Sequence, residues 1–307
     1  MTPAGSNPKR GTILVGISSW TEPTLVKAGT FYPKEARSAE DRLKFYASQF
    51  PIVEVDSSYY YPPSERNSAL WSERSPADFT FDVKAYSLLT QHPTKVDSLF
   101  KEVREALPQE LAAKRNVYAE RMPSELVDQV WERFGSALMP LHSAGKLGCI
   151  LFQFPQYFVI SRKNKEYIVE CKERLPDYRI CVEFRHQSWM EQRNQEETIS
   201  FLEDHDLPYV CVDMPQGFVT SLPPVAAATS RELAVVRFHG RNRETWEKKT
   251  NTAAERFEYE YSRRELLPWV PKIQELASQA RETHVVMNNC YRDYAVNNAR
   301  QLAALLD

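Results

Sequence analysis

Short runs of strictly alternating apolar and polar residues punctuate this chain, separated by stretches with helical spacing. Val53-Glu54-Val55-Asp56, Phe81-Asp82-Val83-Lys84, Val182-Glu183-Phe184-Arg185 and Val236-Arg237-Phe238-His239 each alternate. That is the period-two signature of a strand with two unlike faces. The pattern predicts strands over 12–20, 52–56, 79–84, 148–154, 179–185, 209–213, 233–239 and 284–289. Between them, Leu43, Tyr46, Ala47 and Phe50 share one helical face behind Ser38 and Asp41, a capping pair. Leu126, Val130, Trp131, Phe134, Leu138 and Leu141 keep helical spacing as well. Helices are further predicted over 67–74, 165–175, 198–205 and 295–306.

Strands that alternate with helices imply parallel pairing with helices covering the sheet. Eight such units in 307 residues suit a single α/β (β/α)8 barrel of the TIM type, whose usual size is about 250 residues. The barrel is expected over 11–307, after a disordered tail at 1–10, with a helical insertion at about 93–146 between strands 3 and 4. An open doubly wound sheet would place a Gly-rich phosphate loop after its first strand, and Ser18-Ser19-Trp20 is not one.

Composition narrows the class. At 42% hydrophobic and 26% charged the chain supports a real core, and a net charge of -2 argues against a globally basic nucleic-acid binder. No apolar run reaches the length of a membrane span, and residues 1–10 lack the apolar stretch of a secretory leader. Cys149, Cys171, Cys181, Cys211 and Cys290 are odd in number and form no CxxC pair. Reduced thiols and a cytoplasmic location are therefore expected.

In a closed barrel alternate residues enter the lumen, and the C-terminal strand ends carry the chemistry. With Val and Phe set outward, the inward set reads Glu54 and Asp56, Asp82 and Lys84, Gln153, then Glu183 and Arg185. Asp213, Arg237 and His239 follow, with either Asn288 or Asn289 from the last strand, whose phase stays open. Single pairs such as Glu54 with Lys84 make sense as barrel-filling ion pairs. A whole polar ring does not, because apolar residues fill a lumen at lower desolvation cost, so the ring marks a site.

Several chemistries suit it. Glu183 and Glu54 as acid and base, Lys84, Arg185 and Arg237 as charge stabilisers and His239 as proton shuttle would act on a small polar, anionic substrate carrying phosphate or sugar. Glu54, Asp56, Glu183, Asp213 and His239 could instead hold a divalent metal of the Mg or Mn kind, although the cations compete for those carboxylates. The matching enzyme is a metal-dependent phosphodiesterase, by analogy with barrel endonucleases of the xylose-isomerase-like group. Lys84 could form a Schiff base, opposed by carboxylates that keep its proton. Arg237-Phe-His-Gly-Arg-Asn-Arg243 stands where barrels often hold phosphate.

Aromatic residues crowd the same end. Trp20, Tyr59, Tyr60, Tyr61, Trp189 and Trp246 form either a stacking wall for a sugar or base, or a packed loop core. With the Arg side chains they would also suit a non-catalytic binder of RNA or an acidic ligand. The candidate substrate-binding set is therefore Trp20, Asp56, Tyr60, Gln153, Arg185, Trp189, Asp213, Arg237, Asn288 and Asn289. His186 turns away from the lumen and reads as a loop anchor. No cofactor motif is evident.

These blocks resemble the YecE-like family, domain of unknown function seventy-two. The matching segments are Gly16-Ile-Ser-Ser-Trp20, Phe31-Tyr-Pro33, Val53-Glu-Val-Asp-Ser-Ser-Tyr-Tyr60 and Phe81-Asp-Val-Lys-Ala85. Lys146-Leu-Gly-Cys-Ile-Leu-Phe-Gln-Phe-Pro155, Val182-Glu-Phe-Arg-His-Gln-Ser-Trp189, Arg237-Phe-His-Gly240 and Asn288-Asn289 continue in family order. The resemblance implies a TIM-type barrel and brings no activity with it. The family more often has Asn at Asp56 and commonly Gly at Ser19.

Overall fold

A computed structural model describes residues 11–248 and 253–307; the tail expected at 1–10 lies outside the described residues. Eight strands form the centre: β1 Thr12–Ser18, β2 Ile52–Val55, β3 Thr80–Lys84, β4 Leu147–Gln153, β5 Ile180–Glu183, β6 Val210–Asp213, β7 Leu233–Phe238 and β8 Glu282–Met287. All neighbours pair in parallel, in chain order, with β1 against β8. A parallel bridge between Val182 and Tyr209, with Val182 N–H donating to the Pro208 carbonyl at 2.9 Å, joins β5 to β6 and closes the ring. The chain is a (β/α)8 barrel of the TIM type.

Seven helices take the crossover positions: α1 Ala39–Ala47, α2 Glu65–Glu73, α3 Ser124–Ser143, α4 Arg162–Glu173, α5 Gln195–Asp204, α6 Trp269–Gln279 and α7 Tyr294–Leu306. Between β6 and β7 the chain crosses without a helix. The capping pair starts α1 as the sequence predicts: Ser38 Oγ accepts the Asp41 N–H, and the Asp41 carboxylate accepts the Ser38 N–H, both at 3.0 Å. The Tyr46 hydroxyl then reaches from α1 into the strand layer, donating to the Ile52 carbonyl and accepting from the Ile17 N–H. It thereby ties β1 to β2, which share only two residue pairs.

The long connection between β3 and β4 is helical, and its last helix, α3, belongs to the barrel's own helix layer. Trp131 of α3 stacks on Phe152 of β4 at 5.9 Å. The added part is thus the segment before α3, with short helices Lys101–Glu105 and Gln109–Ala112. Val103, Leu107, Leu111 and Val117 anchor it in the barrel's own apolar cluster. No helix among the described residues is long and apolar enough to cross a membrane.

Candidate active site

The barrel interior is layered, and charge decides the layers. Toward the N-terminal end of the strands, Asp82 of β3 faces His284 of β8, with Nδ1 3.0 Å from both carboxylate oxygens. The Cys149 N–H donates to the same carboxylate. Gly148 is required beside this pair, because a Cβ there would meet Asp82 Oδ1 at 2.4 Å. Burial would lower the His284 pKa, but Asp82 dominates and raises it to about 10, so the pair is an imidazolium–carboxylate. Asp82, Cys149 and His284 are the group among the described residues whose atoms gather closely enough for a metal ion. All three are buried, and none of them lines the mouth cavity.

Above them Arg237 spans the lumen. Its guanidinium donates to Glu54 of β2 and to Glu183 of β5, each at 2.5 Å, and all three side chains are at most 1% exposed. Ser18 donates to Glu54 at 2.7 Å. Arg185 Nε donates to Glu183 at 2.6 Å, while its Nη2 donates to Gln153 Oε1 at 2.9 Å. His239 Nε2 lies 3.2 Å from Glu183, and its Nδ1 accepts from the Asn288 amide at 2.8 Å. Burial raises the Glu183 carboxyl, yet Arg185, Arg237 and His239 outweigh it and hold Glu183 well below the usual range. Burial and Arg185 push His239 down to about 3, so its ring is neutral and Nε2 carries the proton. Two carboxylates and two guanidiniums here sum to no net charge.

A cavity of 1220 Å³ opens above this floor, lined by Asp56, Tyr59, Tyr60, Lys84, Gln153, Arg185, Trp246 and Asn288 among others. Lys84 ends β3 with its ammonium 4.7 Å from the Tyr59 ring centroid. Burial, then Arg237 and Arg185, lower its pKa to about 8 against the opposing pull of Glu54 and Glu183. Burial raises the neighbouring Asp56 carboxyl, over the opposite effect of Lys84. The Arg185 guanidinium lies 5.6 Å from the Trp246 ring.

Of the residues singled out from the sequence, Glu54, Glu183, Arg237 and His239 come together beneath the cavity. Lys84, Asp56, Tyr59, Tyr60, Gln153, Arg185, Trp246 and Asn288 line it. The others lie elsewhere. Asp213 pairs in register with Phe238 while Val212 pairs with Arg237, so Asp213 faces the helix layer. It accepts from Arg241, Tyr261 and Trp269 there. Its strand, Val-Cys-Val-Asp, has apolar residues on both faces, so alternation carries no phase. Trp189 is fully buried, stacked on Phe184 at 4.1 Å, with its indole N–H donating to the Phe158 carbonyl. Trp20 packs edge-on against Trp71 and Phe81. Both are core, not stacking wall.

The β8 phase is also settled. Met287 pairs with Phe238, which turns Asn288 inward, while Asn289 donates to Tyr259 and Asn298 in the loop layer. His186 anchors its loop by accepting the Ser188 N–H. The expected anion loop is spent internally: Arg237 on two glutamates, Arg241 on Asp213, and Arg243 on the Gln216 carbonyl. The five-residue metal set does not assemble, since Asp213 faces away and a guanidinium already bridges Glu54 and Glu183. His92, Tyr157 and Arg256 line the cavity without a sequence signal, because they stand in connections that have no period.

The profile of the family described as "Protein of unknown function DUF72" matches residues 14–307. The chain belongs to the DUF72 family. It is 30% identical to the UPF0759 protein YunF of Bacillus subtilis, over 96% of this chain and 95% of that protein. Among solved DUF72 structures, one from Thermotoga maritima MSB8 is 32% identical with a TM-score of 0.74, covering 96% of this chain and 99% of that one. Another, from Enterococcus faecalis V583, is 26% identical with a TM-score of 0.76, covering 96% and 95%. DUF72 membership and barrel thus agree with the resemblance read from the motif blocks.

Proposed function

We propose that this DUF72 protein is an enzyme acting on a small, polar, anionic substrate, such as a sugar phosphate, in the mouth cavity. The observation that carries this reading is the Lys84 amine. It faces the cavity with no hydrogen-bond or ion-pair partner among the described residues, beside Arg185 and above a floor of no net charge. Arg185 receives the anion. Lys84 and Asp56, whose pKa values move toward neutrality from opposite sides, exchange protons with the substrate. Glu54 and Glu183 act through Arg237 and Arg185, fixing the guanidinium that meets the ligand. Five free cysteines accord with a cytoplasmic setting.

A thermal-shift series tests the reading. Sugar phosphates are expected to raise the melting temperature while the same sugars without phosphate do not, and Arg185→Gln is expected to abolish the difference. Equal shifts from both kinds of sugar, or none from any anion, would contradict it. A shift produced only by divalent metal would favour metal-dependent phosphodiester chemistry instead.

A further inference from the structure

We infer that Lys84 is a nucleophile that condenses with the carbonyl carbon of an aldehyde or ketone bearing an anionic group. This rests on the mouth being an anion-receiving site and adds the reacting atom to it. A lysine at a barrel strand end is an effective nucleophile only if nothing holds its proton. The two carboxylates closest to that task are both engaged. Glu54 accepts from Arg237 and Ser18, and Glu183 accepts from Arg237 and Arg185. Around Nζ there are also the Tyr59 ring, the cavity, the Asp56 carboxyl, which burial pushes toward its neutral form, and guanidinium charge that disfavours the ammonium.

The same charge supplies the ligand's other handle. Arg185 is partly exposed to the cavity, and Arg256 lines it as well. A substrate held by its anion on these groups presents its remaining atoms to Lys84. The neutral amine attacks the carbonyl carbon, the oxygen takes up a proton, and the nitrogen releases one. Asp56, its carboxyl kept high by burial, then protonates the hydroxyl of the carbinolamine, which leaves as water. Starting from the neutral amine and the neutral Asp56 acid, the step ends with an iminium cation beside the Asp56 carboxylate and one water, so the site's net charge is unchanged.

The test is reductive trapping on the full-length protein. Glycolaldehyde phosphate and cyanoborohydride are added at pH 7, and modified lysines are mapped by peptide mass spectrometry. Lys84 is expected to react at least about tenfold faster than any other lysine, since an amine titrating near 8 holds roughly a hundredfold more free base than an ordinary one. Unphosphorylated glycolaldehyde is expected to modify it about tenfold more slowly, and Lys84→Arg to abolish the adduct. Because the primary readout is on wild type, a poorly folded variant costs nothing. Labelling of Lys84 no faster than surface lysines, or at equal rates by both aldehydes, would overturn the inference. A sugar phosphate that still shifts the melting temperature without an adduct removes the imine and leaves the anion site standing; loss of both removes both.

Discussion

Arg237 has no solvent to fall back on. Its guanidinium lies between Glu54 and Glu183, and each of the three side chains is nearly inaccessible. Removing one member of such a set leaves buried charge unpaired, which costs about 3–5 kcal/mol. Arg237→Met is therefore expected to lower the unfolding free energy at pH 7 by that amount in urea melts. A loss below about 1 kcal/mol would show that the network is not held as described. Much of this was legible from residue types alone: alternation put Glu54, Glu183, Arg185, Arg237 and His239 on inner faces. Their division of labour was not, because hydrogen-bond partners and depth below the mouth have no trace in a one-dimensional pattern. Ser19 is a different case. Its φ of 63° lies in the left-handed region that favours glycine, so a serine there is held against its own backbone preference, which no period in the sequence reveals.

At the scale of elements, alternation works where the two faces differ and fails where they do not. β2, β3, β5 and β7 carry polar residues on one side only and were phased correctly, whereas β6 is apolar on both and sent Asp213 to the wrong face. Trp189 misled for a related reason: a short 3-10 turn follows β5 and carries it under the loop onto Phe184. The ion pair of Asp82 and His284 across the lumen makes a prediction of its own. His284 is raised to about 10 from an ordinary value of about 6.5, so the folded chain keeps a proton that the unfolded chain releases. The stability this contributes is complete below pH 6.5 and is lost as pH rises toward 10. Wild type is accordingly expected to lose stability from pH 7 to 9.5 relative to Asp82→Asn, in paired urea melts. Parallel curves would mean that His284 is not charged in the fold.

For the whole molecule, the barrel divides its interior by accessibility. Ion pairs that balance one another fill the closed part, and the open part carries a lysine and an arginine with spare hydrogen-bonding capacity. The strand–helix alternation made the barrel legible, as did the helical spacing of the residues now in α3. The connections that build the cavity wall, with His92, Tyr157 and Arg256, were not legible, since loops and the one-turn helix Ala253–Arg256 are too short or irregular to encode a period. The central claim is that the neutralised floor leaves the Lys84 amine at the mouth without a hydrogen-bond or ion-pair partner among the described residues. NMR titration of lysines carrying ¹³C at Cε, with Lys84 assigned by Lys84→Arg, measures this directly. A midpoint near 8 that rises when a sugar phosphate binds is the expected result; a midpoint above 10, unmoved by the ligand, would contradict it.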